Sequence, residues 1–322
     1  MTKIATIGCG LIGQGWTTVF AQAGFDVAMY DASAEAAERA LNAMEKRVAD
    51  LVAFELVAAS DASGILQRIT VAPRLEDALK DAVYVQENGP ERLDVKREIT
   101  EALDAIAAPD VPIGSSTSGI SASRYCKDIA GRHRCLVVHP INPPHLIPAV
   151  EIVPTPWTDP EIVSKVTNLM RACHRETILL NKEIDGFVVN RLQGALLEEA
   201  FKLVGSGIVS ATDLDKAICD GLGLRWSFMG PMQTIHLNAP EGVAQYVERY
   251  GKMYRDFGIG SYDTVNWTDI VENVLKAECE ARTPVAEIPA AQADRDRKLM
   301  ALLRHKAQMR ADAPSDPSTT QE

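Results

Sequence analysis

The chain has 322 residues, 46% of them hydrophobic and 24% charged, with a formal net charge of −11. That length accommodates two domains with real cores, and the acidic balance argues against nucleic acid or an anionic membrane surface as the main partner. No apolar run reaches the roughly 18 residues that a membrane span needs.

A β-rich run at 4–8 flows into Gly8-Cys9-Gly10-Leu11-Ile12-Gly13, a helical stretch covers 12–23, and a second strand-like run at 26–30 ends on Asp31. Strand, glycine motif, helix, strand and acid in that order form the dinucleotide-binding fingerprint. Gly8 permits the tight turn, Gly10 lets backbone approach a pyrophosphate, and Gly13 lets the helix pack close. The phosphates would sit on the helix N-terminus, which makes Leu11 and Ile12 cofactor-binding candidates beside the three glycines. A carboxylate at Asp31 accepts bonds from ribose hydroxyls and repels a 2′-phosphate, and Ala32-Ser33-Ala34-Glu35 offers no arginine for one, so NAD is expected rather than NADP. The other reading of Asp31 is a turn acid before the next helix.

Further strands are expected at 68–72, 82–87, 111–115, 134–139, 149–153 and 176–180, with helices at 33–58, 92–107, 121–130 and 159–173. Strands alternating with helices imply a mostly parallel, doubly wound sheet: an α/β Rossmann domain over residues 1–183. The close spacing of the last three strands suggests a mixed far edge. Beyond Lys182 the β signal fades into amphipathic segments at 186–206, 211–221, 230–238, 241–257, 266–282 and 289–310. These predict an all-α C-terminal domain over 184–310. Asp185 is a candidate N-cap for its first helix and Asp213 lies in the opening turn of its second. Residues 311–322, rich in Pro, Ser, Thr and acids, read as a disordered tail. The six cysteines (Cys9, Cys126, Cys135, Cys173, Cys219, Cys279) show neither CxxC nor zinc spacing. They read as buried small residues in a reducing compartment, and no metal is expected. With no signal or transit segment before the first strand, a soluble cytoplasmic protein is expected.

Oxidising an alcohol beside a dinucleotide requires a proton-handling group. His139 ends an apolar run, where open α/β sheets bind their ligands, and opens the proline-stiffened loop 140–148. Glu151 stands between Val150 and Ile152 as a buried carboxylate in need of a partner. Together they could form a base and its orienting acid. A merely hydrogen-bonded histidine and a solvent-facing glutamate remain open on residue types alone, and His145 competes for the role. The hydroxyls of Ser115-Ser116-Thr117-Ser118 could bind substrate or cofactor, or cap a helix at Ser121.

The stretches GCGLIGQGW, QENGPERLDVK, SSTSGISAS, HPINPPHLIPAVEIVP, DGFVVNRLQ and GLGLRWSFMGPMQTIHLNAPEGV, in this order, resemble the 3-hydroxyacyl-CoA dehydrogenase superfamily, nearest its lambda-crystallin and L-gulonate 3-dehydrogenase group. The resemblance implies that His139 and Glu151 are the catalytic dyad and that Ser118 contacts the substrate oxygen. It implies that Asn190 helps polarise that oxygen and that Glu91 and Lys96 line the nicotinamide side. Two departures bear on substrate. Ser116 stands where those enzymes usually carry asparagine, and Ile147-Pro148-Ala149 lacks a lysine they carry. The 33–58 helix adds only Arg39, Lys46 and Arg47 as handles for a CoA nucleotide. These features favour a small free hydroxy acid over a thioester. Arg225 is the candidate anchor for its carboxylate.

The leading expectation is therefore NAD-dependent oxidation of the 3-hydroxyl of a small free acid, L-gulonate or an analogue, by a homodimer. The rivals are L-carnitine dehydrogenase, with Trp226 and Tyr246 available for a quaternary ammonium, short-chain 3-hydroxyacyl-CoA dehydrogenase, and a non-catalytic, crystallin-like NAD-binding protein.

Overall fold

The computed structural model describes residues 2–227, 229–240, 242–257, 273, 281 and 284–311. The chain divides into two compact units, Met1–Asn190 with Asp294–Glu322, and Arg191–Ala293.

The first unit runs β1 (Lys3–Ile7), α1 (Leu11–Gln22), β2 (Asp26–Tyr30), α2 (Ala34–Ala53), α3 (Ala62–Gln67), β3 (Ile69–Val71), α4 (Leu75–Leu79) and β4 (Ala82–Glu87). It continues through α5 (Leu93–Ile106), β5 (Ile113–Ser115), α6 (Ser123–Cys126), β6 (Cys135–Pro140), β7 (Ala149–Pro154), α7 (Pro160–Ala172) and β8 (Glu176–Leu179). Among the described residues the strands form one sheet in the order β3-β2-β1-β4-β5-β6-β7-β8. β1 to β6 are parallel, β7 runs antiparallel to β6, and β8 parallels β7. This is the Rossmann sheet with the mixed far edge that the strand spacing predicts.

Both faces of the sheet are covered, so its central strands read as continuous apolar runs. Alternate residues feed opposite layers: Ile4 joins Trp16, Phe20, Met29 and Met44, while Ala5 joins Val85, Leu103, Ile113 and Val137. Because β1, β4, β5 and β6 are parallel, their carboxyl ends share one edge. Gly8, Asn88, the Ser116–Ser118 turn and His139 lie there.

Several boundaries differ from expectation. The helix expected over 33–58 stops at Ala53, where Glu55 takes a left-handed φ of 57° and Leu56 N–H returns to the Leu51 carbonyl. That is a Schellman-type close without the glycine that normally announces it. The helices α3 and α4 are additional. The helix expected over 121–130 contracts to α6, which has no side-chain cap.

The second unit is helical, with no strand among its described residues: α8 (Val189–Gly205), which begins in the first unit, α9 (Ala211–Lys216), a π-helical turn (Ala217–Leu222), α10 (Gly223–Trp226), α11 (Pro231–Leu237) and α12 (Val243–Asp256). Asp213 sits in the first turn of α9, and the Ser210 hydroxyl caps that helix by accepting the Asp213 N–H at 3.1 Å. Four cysteines are buried as expected, but Cys219 is exposed, because the π-helical turn that carries it buries no residue. The helix expected at 266–282, Cys279 and the tail from residue 312 lie outside the described residues.

A final helix, α13 (Ile288–Ala311), corrects the expected domain boundary. From Asp294 onward it belongs to the first unit, not the second. Met300 is buried against Leu51 and Leu146, and Arg304 pairs with Glu55 at 2.7 Å. Among the described residues no helix is long and apolar enough to cross a membrane.

Candidate active site

The glycine loop is tight on its inner side and open on its outer side. A Cβ at Gly13 would lie 1.9 Å from the Gly8 carbonyl oxygen, and one at Gly8 would lie 2.8 Å from that of Asn88, where φ is already +90°. At Gly10 a Cβ would meet nothing within 4 Å. No side chain caps α1, and its first turn holds no acid, so its leading N–H groups open onto Gly10 without competition. By contrast, α2 has both a Ser33 cap and Glu35 in its first turn. The loop at Gly10, Leu11, Ile12 and Gly13 therefore fits the pyrophosphate of a dinucleotide.

Asp31 bridges the two loops of this edge. Its Oδ2 accepts the Cys9 N–H at 2.8 Å and its Oδ1 the Ser33 N–H at 2.9 Å. A carboxylate has about four acceptor positions, so capacity remains for ribose hydroxyls. The helix-capping duty falls to Ser33, which accepts the Ala36 N–H at 3.2 Å. Burial and then Asp31 push the Cys9 thiol up to about 12, so no second negative charge forms in the loop. Replacing Asp31 with serine is expected to narrow the preference for NAD over NADP by at least about tenfold, read as the ratio of kcat/KM for the two cofactors.

Beneath the loop, Glu87 and Lys96 form an ion pair in which each side chain is 1% exposed. The Lys96 ammonium spends its three donors on Glu87 Oε1 (3.0 Å), Glu87 Oε2 (2.9 Å) and the Gly89 carbonyl (3.0 Å). Glu87 also accepts the Ser115 hydroxyl at 2.6 Å and the Gly89 N–H at 2.5 Å. Lys96 is thus buried rather than exposed, and each proton on its nitrogen is bonded to Glu87 or Gly89.

Glu91 is placed differently again. Its Oε1 accepts the Thr117 hydroxyl (2.6 Å) and the N–H groups of Ser118 (3.0 Å) and Gly119 (3.1 Å), stitching the turn after β5. The Ser118 carbonyl receives Asn190 Nδ2 at 2.6 Å. Ser118 is therefore gripped at both backbone ends and exposes its side chain. Ser118 and Asn190, 72 residues apart, are brought together.

His139 and Glu151 are register partners across β6 and β7, and His139 Nδ1 lies 2.7 Å from Glu151 Oε2. Their side chains are 6% and 0% exposed. An ionised carboxylate only accepts, so Nδ1 carries the proton toward Glu151 and Nε2 is the nitrogen able to receive one. Glu151 Oε1 accepts the N–H groups of Val188 (2.7 Å) and Val189 (3.0 Å), at the start of α8. Burial raises the Glu151 carboxyl, but the hydrogen bonds from His139, Val189 and Val188 outweigh it and hold the group below the usual carboxylate range. Its charge adds stability at neutral pH that is lost as pH falls through the lowered folded value. Phe187 packs on the His139 ring with centroids 5.4 Å apart.

Glu151, not Asp185, thus accepts the leading N–H groups of α8, while Asp185 accepts the Ser121 hydroxyl at 2.9 Å. His145 lines a cavity of about 910 Å³ with Arg68, Arg175 and Lys306. Arg225 and Trp226 are exposed on the second unit, and Arg225 is near enough to Tyr246 to oppose the rise in that phenol's pKa, which comes first from its bond to Tyr254. Sequence reasoning missed Phe187 and the Glu87–Lys96 pair. The local signal beside Phe187 was Gly186, whose φ of 76° is a conformation that glycine adopts readily.

An anion-holding loop and a proton-accepting imidazole on one edge of a parallel sheet are what a nicotinamide-dependent dehydrogenase requires, and that is the class the fold defines. Residues 3–184 match the NAD-binding domain model of 3-hydroxyacyl-CoA dehydrogenase, and residues 186–276 match the model of its C-terminal domain. The chain belongs to the 3-hydroxyacyl-CoA dehydrogenase family, with NAD as its cofactor, and is an NAD-dependent dehydrogenase acting on a 3-hydroxy group. It is 38% identical to lambda-crystallin of Oryctolagus cuniculus over 95% of this chain and 97% of that one. Identity to an L-carnitine dehydrogenase of Streptomyces coelicolor is 34%, covering 94% of each chain. The crystal structure of 5-formyl-3-hydroxy-2-methylpyridine 4-carboxylic acid 5-dehydrogenase, an NAD+-dependent dismutase, superposes with a TM-score of 0.80 at 28% identity, covering 94% of this chain and 98% of that one.

Proposed function

We propose that this protein oxidises the 3-hydroxyl of a small free hydroxy acid, L-gulonate or a close analogue, with His139 as the base. The observation that supports this reading is the divided duty of Glu151, one oxygen on His139 and the other on the start of α8. A carboxylate held from both sides keeps the imidazole in one tautomer and stabilises its protonated form. NAD, when bound, supplies the acceptor for the hydride that leaves the carbinol carbon. His139 Nε2 takes the hydroxyl proton as that carbon becomes a carbonyl. Ser118 offers its hydroxyl to the reacting oxygen, and Asn190 steadies the Ser118 turn.

A free acid is favoured over a CoA thioester by the scarcity of cationic handles. The stretch Ile147-Pro148-Ala149 carries no lysine, Arg39 faces Glu35 at 3.6 Å, and Arg47 reaches Gln14. Oxidation of L-carnitine is the second reading, favoured by the ring pair Tyr246–Tyr250, with centroids 4.9 Å apart, on α12 near Arg225. Homodimerisation through the helical unit belongs to the same proposal, supported by the exposed side chains of Leu196, Leu224, Met232 and Leu237.

The test is NADH formation with L-gulonate, L-carnitine, L-3-hydroxybutyrate and its CoA thioester. Turnover of L-gulonate is expected. Turnover of L-carnitine alone would transfer the assignment to the second reading, and turnover of the thioester alone would overturn both.

A further inference from the structure

The Ser116 hydroxyl makes every hydrogen bond open to it. Trp16 Nε1 donates to it at 3.0 Å, Gln86 Nε2 donates at 2.8 Å, and the hydroxyl donates to Asn88 Oδ1 at 2.7 Å. A serine oxygen has one donor and two acceptor sites, so the set is complete. The partners come from different parts of the functional edge. Trp16 is fully buried in α1, behind the glycine loop. Gln86 also donates to the Val138 carbonyl at 3.3 Å, one residue before His139, and accepts the Tyr84 hydroxyl at 2.5 Å. Asn88 donates from Nδ2 to the carbonyls of Ile7 (3.2 Å) and Gln86 (3.0 Å), and from its backbone to Ile7 (2.7 Å).

Asn88 is the surface on which the glycine loop rests. A Cβ on Gly8 would come within 2.8 Å of its carbonyl oxygen, and one on Gly13 within 3.5 Å of its Nδ2. The loop therefore leans on Asn88 at two of its three glycines, and the free end of the Asn88 amide is held by Ser116. We infer that Ser116 is a positioning residue for NAD binding. Through Asn88 it sets the seat of the Gly8–Gly13 loop, and through Gln86 it ties that seat to the strand carrying His139. Ser118, two residues on, shares the same turn.

The test is NADH affinity, read by fluorescence titration, with the thermal midpoint recorded for each variant. Ser116→Ala is expected to weaken NADH binding about tenfold, the effect of leaving the Asn88 carbonyl without its donor. Asn88→Ala cuts the same link from the other side and should weaken binding as much, which keeps the test available if Ser116→Ala does not fold. Trp16→Phe removes a different bond to the same hydroxyl while leaving Ser116 on Asn88, so NADH affinity should stay within about twofold even where stability drops. Wild-type affinity in a folded Ser116→Ala or Asn88→Ala would overturn the inference. Equal losses in Trp16→Phe and Ser116→Ala would overturn it too, because the effect would then be general loosening of the core.

Discussion

Replacing His139 with alanine is expected to lower kcat by roughly a thousandfold or more while leaving NADH affinity within about twofold. The proton must leave the substrate oxygen as the carbonyl forms, and His139 is the imidazole on this edge that a buried carboxylate orients. The fold should survive. Glu151 Oε1 keeps the N–H groups of Val188 and Val189, so the carboxylate stays anchored when His139 Nδ1 is gone. Steady-state kinetics on whichever acid of the substrate panel is turned over, beside an NADH titration, separate the two effects. If NADH affinity collapsed together with turnover, His139 would belong to the cofactor seat and the proposed chemistry would fail.

The largest stability effect is expected at Lys96. Each member of the Glu87–Lys96 pair has a side chain 1% exposed, so Lys96→Met strands a carboxylate in the core with only the Ser115 hydroxyl and the Gly89 N–H as partners. Breaking a buried pair from one side costs about 3–5 kcal/mol, whereas removing both charges is often close to neutral. The single variant should therefore lose roughly 10 °C in Tm. The double variant Glu87→Gln/Lys96→Met should recover most of it. Equal melting points for the single and double variants would show that the stranded charge is not the source of the loss.

Some of this arrangement was legible in the chain and some was not, for identifiable reasons. The β1–loop–α1–β2 unit announces itself because Gly8, Gly10, Gly13 and Asp31 act through short-range geometry. His139 and Glu151 were legible as a pair because a stiff loop between two apolar runs returns the chain to the neighbouring strand. The capping of α8 was not. Asp185 lies close in sequence, but the N–H groups of Val188 and Val189 go to Glu151, 37 and 38 residues away, and no local pattern records that. Lys96 reads from its helix as a surface residue, and only the fold brings Glu87 beneath it. The close of α2 escaped because Glu55 adopts a conformation that a sequence reader assigns to glycine.

The return of α13 to the first unit has a consequence for how the protein is made. Domains usually fold as they leave the ribosome, at about 5–20 residues per second. Here Leu51 and Leu146 wait for Met300, so their pocket faces water for roughly 8 to 30 s after Leu146 is added. A chain ending before Asp294 would carry the whole dinucleotide signature and every strand of the sheet, yet leave part of that unit's core uncovered. The nucleotide-binding module is therefore contiguous as a motif but not as an object that can be cut out of its gene.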